Sequence, residues 1–81
     1  MEALDGNAVA GALLDYFGAE MTVAHGFCAY CGAPSQIREL RVYRQAPGAV
    51  VRCRHCGNVV IVLVRVGDSQ KVHLSGFRLR D

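Results

Sequence analysis

Four cysteines, Cys28, Cys31, Cys53 and Cys56, fall into two pairs, each with two residues between its members and a glycine directly after it, Gly32 and Gly57. Between the pairs lie 21 residues. Two residues between thiols let one tight turn aim both sulfurs at one ion, and a second such turn completes a tetrahedron with metal–sulfur distances of about 2.3 Å. The following glycine suits a turn that needs positive φ and brings backbone N–H groups toward thiolate sulfur. The pattern therefore predicts one Zn2+ per chain on Cys28, Cys31, Cys53 and Cys56.

Iron in a rubredoxin-like tetrathiolate uses the same spacing, so spacing leaves iron open as the metal and electron transfer as a role. A thioredoxin-type redox pair needs one such motif rather than two, and disulfides belong to oxidising compartments. Four cysteine ligands close the coordination sphere and leave no position for water or substrate, which marks a structural ion. With the thiols engaged, a nucleophile would have to be a hydroxyl activated by His25, His55 or His73, and none of these lies in a recognisable catalytic motif. The expectation is a non-enzymatic protein with no catalytic residues and no small-molecule substrate. The three histidines read as surface side chains.

A second group of residues is basic. Arg38, Arg41, Arg44, Arg52 and Arg54 lie close in sequence with Tyr30 and Tyr43, a combination that could meet phosphate and bases. Glu39 interrupts them. Residues 1–27 carry four acidic groups and no Lys or Arg, a charge of −4, and residues 28–81 carry nine basic and three acidic groups, a charge of +6. A four-thiolate site with a divalent ion adds −2, which brings the whole chain close to neutrality. Nucleic-acid binding is thus an alternative rather than the leading reading.

The elements that must position the thiols follow from the hydrophobic pattern. "LDGNAVAGALLDYFGAE" reads as one helix, capped by Asp5 or Asn7 and stopped by Gly18, with Val9, Leu13, Tyr16 and Phe17 as its apolar stripe and Leu14 widening it. "MTVAHGF" reads as a link into the first thiol pair, and "IRELRVY" as a half-exposed strand. Pro47 and Gly48 suit the centre of a type II turn that returns the chain into Val50, Val51 and the second pair.

From Val59 a strand is apolar on both faces, with Val60, Val62, Val64 and Val66 on one and Val59, Ile61 and Leu63 on the other. "GDSQ" is a turn into a last strand, "KVHLSGFRLR", where Gly76 marks a bulge. The expected fold is small α+β: a zinc ribbon, an antiparallel sheet of three to five strands with two C-x-x-C-G knuckles, and one N-terminal helix on a face of the sheet. One domain spans residues 1–81, with the helix segment at 1–20 and the ribbon at 26–80.

At 81 residues the chain can barely offset the entropy of ordering itself by apolar burial, so a metal staple suits it. Surplus apolar surface on the helix stripe and on Val59, Ile61 and Leu63 predicts a protein partner or a homodimer. The first Lys or Arg is Arg38, so no secretory leader is expected. The apolar run Val59 to Val64 is about a third of the roughly 20 residues that cross a bilayer. Cytoplasmic localisation without membrane contact is the expectation.

Beyond these elements, "LDGNA", "FG", "CAYCG", "ELRVY", "APG" and "VVRCRHCG" together resemble a family of small uncharacterised actinobacterial zinc-ribbon proteins of unknown function, over Leu4 to about Val64. Members often have proline after the first cysteine of the second pair, where this chain has Arg54. The resemblance implies a four-cysteine site in a compact helix-plus-ribbon domain and an accessory role.

Overall fold

The computed structural model describes residues 3–45 and 47–80. Among the described residues it is a small mixed α+β fold with one α-helix and two antiparallel sheets. The strands are β1 (Leu4–Asp5), β2 (His25–Cys28), β3 (Pro34–Gln36), β4 (Arg41–Gln45), β5 (Gly48–Arg52), β6 (Val59–Val66), β7 (Ser69–His73) and β8 (Phe77–Leu79). The larger sheet has the order β1-β4-β5-β6-β7 and the smaller β3-β2-β8. A single sheet was the expectation. The segment expected to be a link contains β2, which pairs on one edge with the nearby β3 and on the other with the distant β8 to form the second sheet.

The N-terminal segment is not one helix. Leu4 and Asp5 pair with Val42 and Arg41, Gly6–Val9 form a 3-10 turn, and helix α1 runs Ala10–Phe17. Asp5 caps the 3-10 turn by accepting the Asn7 backbone N–H at 3.0 Å, which satisfies a donor left free at a helix start. Gly6 is buried where a Cβ would lie 1.8 Å from the Ile37 carbonyl oxygen, so only glycine lets this turn pass. Gly18, at φ 72°, ends α1 by donating its N–H to the Leu14 carbonyl at 2.8 Å. Val9 and Leu13 are buried and Phe17 packs against the core, whereas Leu14 and Tyr16 are exposed. The stripe is narrower than the apolar spacing suggests because α1 is only eight residues long and meets the sheet along one edge.

Ile37–Glu39 form a second 3-10 turn, so the expected strand begins only at Arg41. Glu39 accepts the Gln36 backbone N–H at 2.6 Å, part of a capping box that holds this turn. Gln45 pairs with Gly48, so Gly48 is already strand and not a central turn residue. Its φ is not positive; glycine is required instead because a Cβ would lie 1.9 Å from the Leu63 carbonyl oxygen. Ala46, within the expected turn, lies outside the described residues.

The expected alternation of β6 is broken at Val60. Val51 pairs with Ile61 and Arg52 with Val59, so Val60 is an extra residue in the ladder. Both Val60 and Ile61 are buried as a result. Beyond the bulge, Ile61 and Leu63 face the core with Ala49, Val51 and α1, while Val62, Val64 and Val66 lie on the opposite face and are half-buried or exposed.

Gly67, at φ 60°, opens the two-residue hairpin between Val66 and Ser69. Gly76 is not a bulge. It sits where the chain leaves the larger sheet for the smaller, with a Cβ position 2.7 Å from the Val60 Cα, and its N–H donates to the Val60 carbonyl at 3.1 Å. The core joins both sheets through Leu13, Ile37, Leu40, Val42, Val51, Ile61 and Phe77, together with Cys28 and Cys53. Among the described residues no helix is long and apolar enough to cross a membrane.

Candidate metal centre

The two cysteine pairs fold as copies of one device. Cys28 ends β2 and Cys53 follows β5, so one knuckle hangs from each sheet. In the first, the Cys28 N–H donates to the Ala33 carbonyl at 3.0 Å and the Gly32 N–H returns to the Cys28 carbonyl at 2.8 Å. In the second, the Cys53 N–H donates to the Asn58 carbonyl at 3.0 Å and the Gly57 N–H returns to the Cys53 carbonyl at 3.0 Å.

Gly32 and Gly57 have φ of 77° and 78°, as the turn requires. The donors aimed at sulfur are not these glycines, whose N–H groups close the turn, but the residues two past each leading cysteine. The Tyr30 N–H donates to Cys28 Sγ and the His55 N–H to Cys53 Sγ, each at 3.4 Å. The Asn58 side-chain amide also donates, to Cys56 Sγ at 3.4 Å.

The structure brings all four sulfurs together, within 4.8 Å of one another. Cys28 Sγ lies 3.7 Å from Cys56 Sγ, and Cys31 Sγ lies 3.7 Å from Cys53 Sγ. A tetrahedron with ligand bonds of about 2.3 Å has edges of about 3.8 Å. The cross-knuckle spacing therefore fits one tetrahedral ion. In each pair the leading cysteine is buried, at 2% and 3% exposure, and the second is exposed. The leading sulfurs belong to the core and the trailing ones close the site from its rim.

The thiols differ in their readiness to ionise. The Asn58 backbone N–H holds Cys56 below the ordinary thiol value, against the loss of solvent that favours the neutral form. The Asn58 side chain and the neighbouring sulfurs act in the same direction as that N–H, and the outcome is about 6. Cys31 receives the Ala33 backbone N–H, which favours its thiolate, but desolvation and the sulfurs of Cys28, Cys53 and Cys56 outweigh that donor and push it up to about 11. A cluster that holds one thiolate easily and resists the next is poised for a cation that neutralises them together.

The five arginines do not form one patch. Arg44 lies on the α1 side of the larger sheet, its Nη2–H donating to the Ala8 carbonyl at 2.6 Å. Arg41 and Arg52 are paired neighbours on the opposite face, with Arg52 6.0 Å from the Tyr43 ring centroid and bonded to the Gly57 carbonyl at 2.8 Å. Arg38 donates to the Gln36 side chain, and Arg54 stands 4.0 Å from Glu39. His25, His55 and His73 are all exposed. Asn58 is the contributor to the site that cysteine spacing could not name; its signal is an amide side chain two residues past the last ligand.

Comparison with known proteins agrees with a cluster of chemistry whose task is open. A family model described as a family of unknown function (DUF6510) matches residues 1–80. No curated protein and no solved structure matches the chain.

Proposed function

The chain belongs to this family of unknown function, and we propose that it is a non-enzymatic zinc-ribbon protein in which one structural Zn2+ on Cys28, Cys31, Cys53 and Cys56 holds two sheets in register as a protein-interaction or accessory module. The observation that carries this reading is the pair of matched knuckles, one from each sheet, whose sulfurs approach to 3.7 Å across the pair. An ion there ties the end of β2 to the end of β5 and does no chemistry of its own, since four thiolates leave it no open position.

The interacting surface is the face of the larger sheet turned away from α1. Tyr43, Val50, Val62 and Val64 are only half-buried there, and Val66 is 56% exposed. A small domain that leaves a row of valines wet supports association with a protein partner or a second copy. Nucleic acid is the second reading, favoured by the placement of Arg41, Arg52 and Tyr43 together on that face. A rubredoxin-like iron site would use the same sulfur geometry, because iron–thiolate distances resemble those of zinc.

Native mass spectrometry of the protein purified without added metal separates these readings. One zinc per chain in a dimer, with Val62→Glu releasing monomers that keep the zinc, supports the interaction reading. A zinc-bound monomer that retains single-stranded DNA at low salt and releases it at high salt transfers the function to nucleic acid. Iron in place of zinc transfers it to electron transfer.

A further inference from the structure

An open cleft of about 750 Å³ is lined by α1 on one side and by the larger sheet with its β4–β5 hairpin on the other. Sites that hold small organic molecules occupy roughly 300–1000 Å³. The floor is apolar, formed by Val9, Ala12, Ala49 and Leu63, while Arg44, Arg65 and Asp15 are exposed charged groups of its lining. Two guanidinium groups against one carboxylate leave the cleft with an excess positive charge.

Both arginines stand on the α1 face of the sheet, on either side of β5. Arg44 is positioned by its bond to the Ala8 carbonyl, which leaves further guanidinium donors free, and the Arg65 backbone is tied to the Pro47 carbonyl at 3.0 Å. Among the described residues neither arginine pairs with a carboxylate.

Gly11 supplies a separate observation. It lies within α1 without positive φ, and a Cβ there would meet nothing within 4 Å. Glycine inside a helix destabilises it relative to alanine. Gly48, on the facing wall, is accounted for by the Leu63 carbonyl, but no contact in the fold requires a glycine at position 11. Gly11 lines the cleft.

We infer that this cleft binds a small organic anion, a carboxylate carried on an apolar body, with Arg44 and Arg65 meeting the carboxylate and the Val9, Ala12, Ala49 and Leu63 floor taking the body. The site is independent of the cysteine cluster. Neither its lining nor its proposed ligand involves the metal.

The test is an amide chemical-shift titration of the protein as purified, with sodium octanoate as the probe and octan-1-ol and octylammonium as uncharged and oppositely charged controls. A charged hydrogen bond is worth about 1.5–3 kcal/mol, so octanoate should bind roughly tenfold or more tightly than octan-1-ol. Saturable shifts should centre on Gly11, Ala12, Gly48 and Ala49. Arg65→Gln should weaken octanoate binding by a similar factor, whereas Arg78→Gln in β8 should leave it unchanged. Gly11→Leu, which fills the cleft, should abolish it with the fold retained. The inference is overturned by non-saturating shifts, by shifts centred elsewhere, by octan-1-ol or octylammonium matching octanoate, or by Arg65→Gln without effect.

Discussion

Replacing Gly57 with alanine isolates the contribution of backbone conformation to the metal site. The residue sits at φ 78°, and a Cβ added there meets no atom within 4 Å, so the substitution introduces no collision. What remains is the cost of holding an L-residue in the left-handed region, roughly 1–2 kcal/mol. If the metal-free knuckle relaxes, the whole cost falls on metal affinity and the dissociation constant rises by about 5–30-fold. If the knuckle is already formed without metal, the same energy appears as lost stability, and an 81-residue domain then melts roughly 4–16 °C lower.

Competition with a chromophoric chelator reads the first term and thermal melting of the metal-free chain reads the second. Their sum is the quantity fixed by the geometry. Gly32→Ala, at φ 77° with an equally open Cβ position, should give the same sum, and Gly57→Asn should recover part of it because asparagine tolerates this conformation. A Gly57→Ala protein that matches the parent in both assays would refute the argument that the turn's positive φ underlies the site.

Other outcomes follow from the same structure. Gly48→Ala forces a Cβ to 1.9 Å from the Leu63 carbonyl oxygen and should cost about 3 kcal/mol in denaturant unfolding. Leu13→Ala, at a fully buried position, should cost roughly 2–5 kcal/mol, while Leu14→Ala on the exposed side of α1 should stay within about 0.5 kcal/mol. Asn58→Ala removes the side-chain donor to Cys56 Sγ and should weaken metal binding about tenfold in chelator competition. Metal affinity should also depend on pH through Cys56. Because that thiol is lowered to about 6, its thiolate is available above that value and must be regained from a proton below it, so the plot of log Kd against pH should steepen by one proton on falling through about 6. An unchanged slope there would contradict the low value.

Much of the site was legible because cysteine spacing encodes a local turn, and local turns do not depend on the rest of the fold. Gly32 and Gly57 announced their positive φ in the same way, as did Gly18 at the end of α1. Gly48 and Gly76 were misread for a common physical reason. Each looks like a turn or bulge residue along the chain, yet each is glycine because a distant backbone segment, at Leu63 or Val60, passes too close for a Cβ.

The second sheet was hidden because β2 and β8 are short, lie 49 residues apart at their paired positions Cys28 and Phe77, meet only in the folded chain, and carry little alternation. The bulge at Val60 changed which valines are buried, a shift of register that composition cannot express. The cleft was equally out of reach, since its walls come from α1, β4, β5, β6 and β7.

X-ray absorption at the bound metal of the protein purified without added metal tests the central claim most directly, because one spectrum reports both the element and its first shell. The expected result is a zinc edge with four sulfur neighbours at about 2.3 Å. A first shell containing nitrogen or oxygen, or a folded chain with no stoichiometric metal, would contradict it.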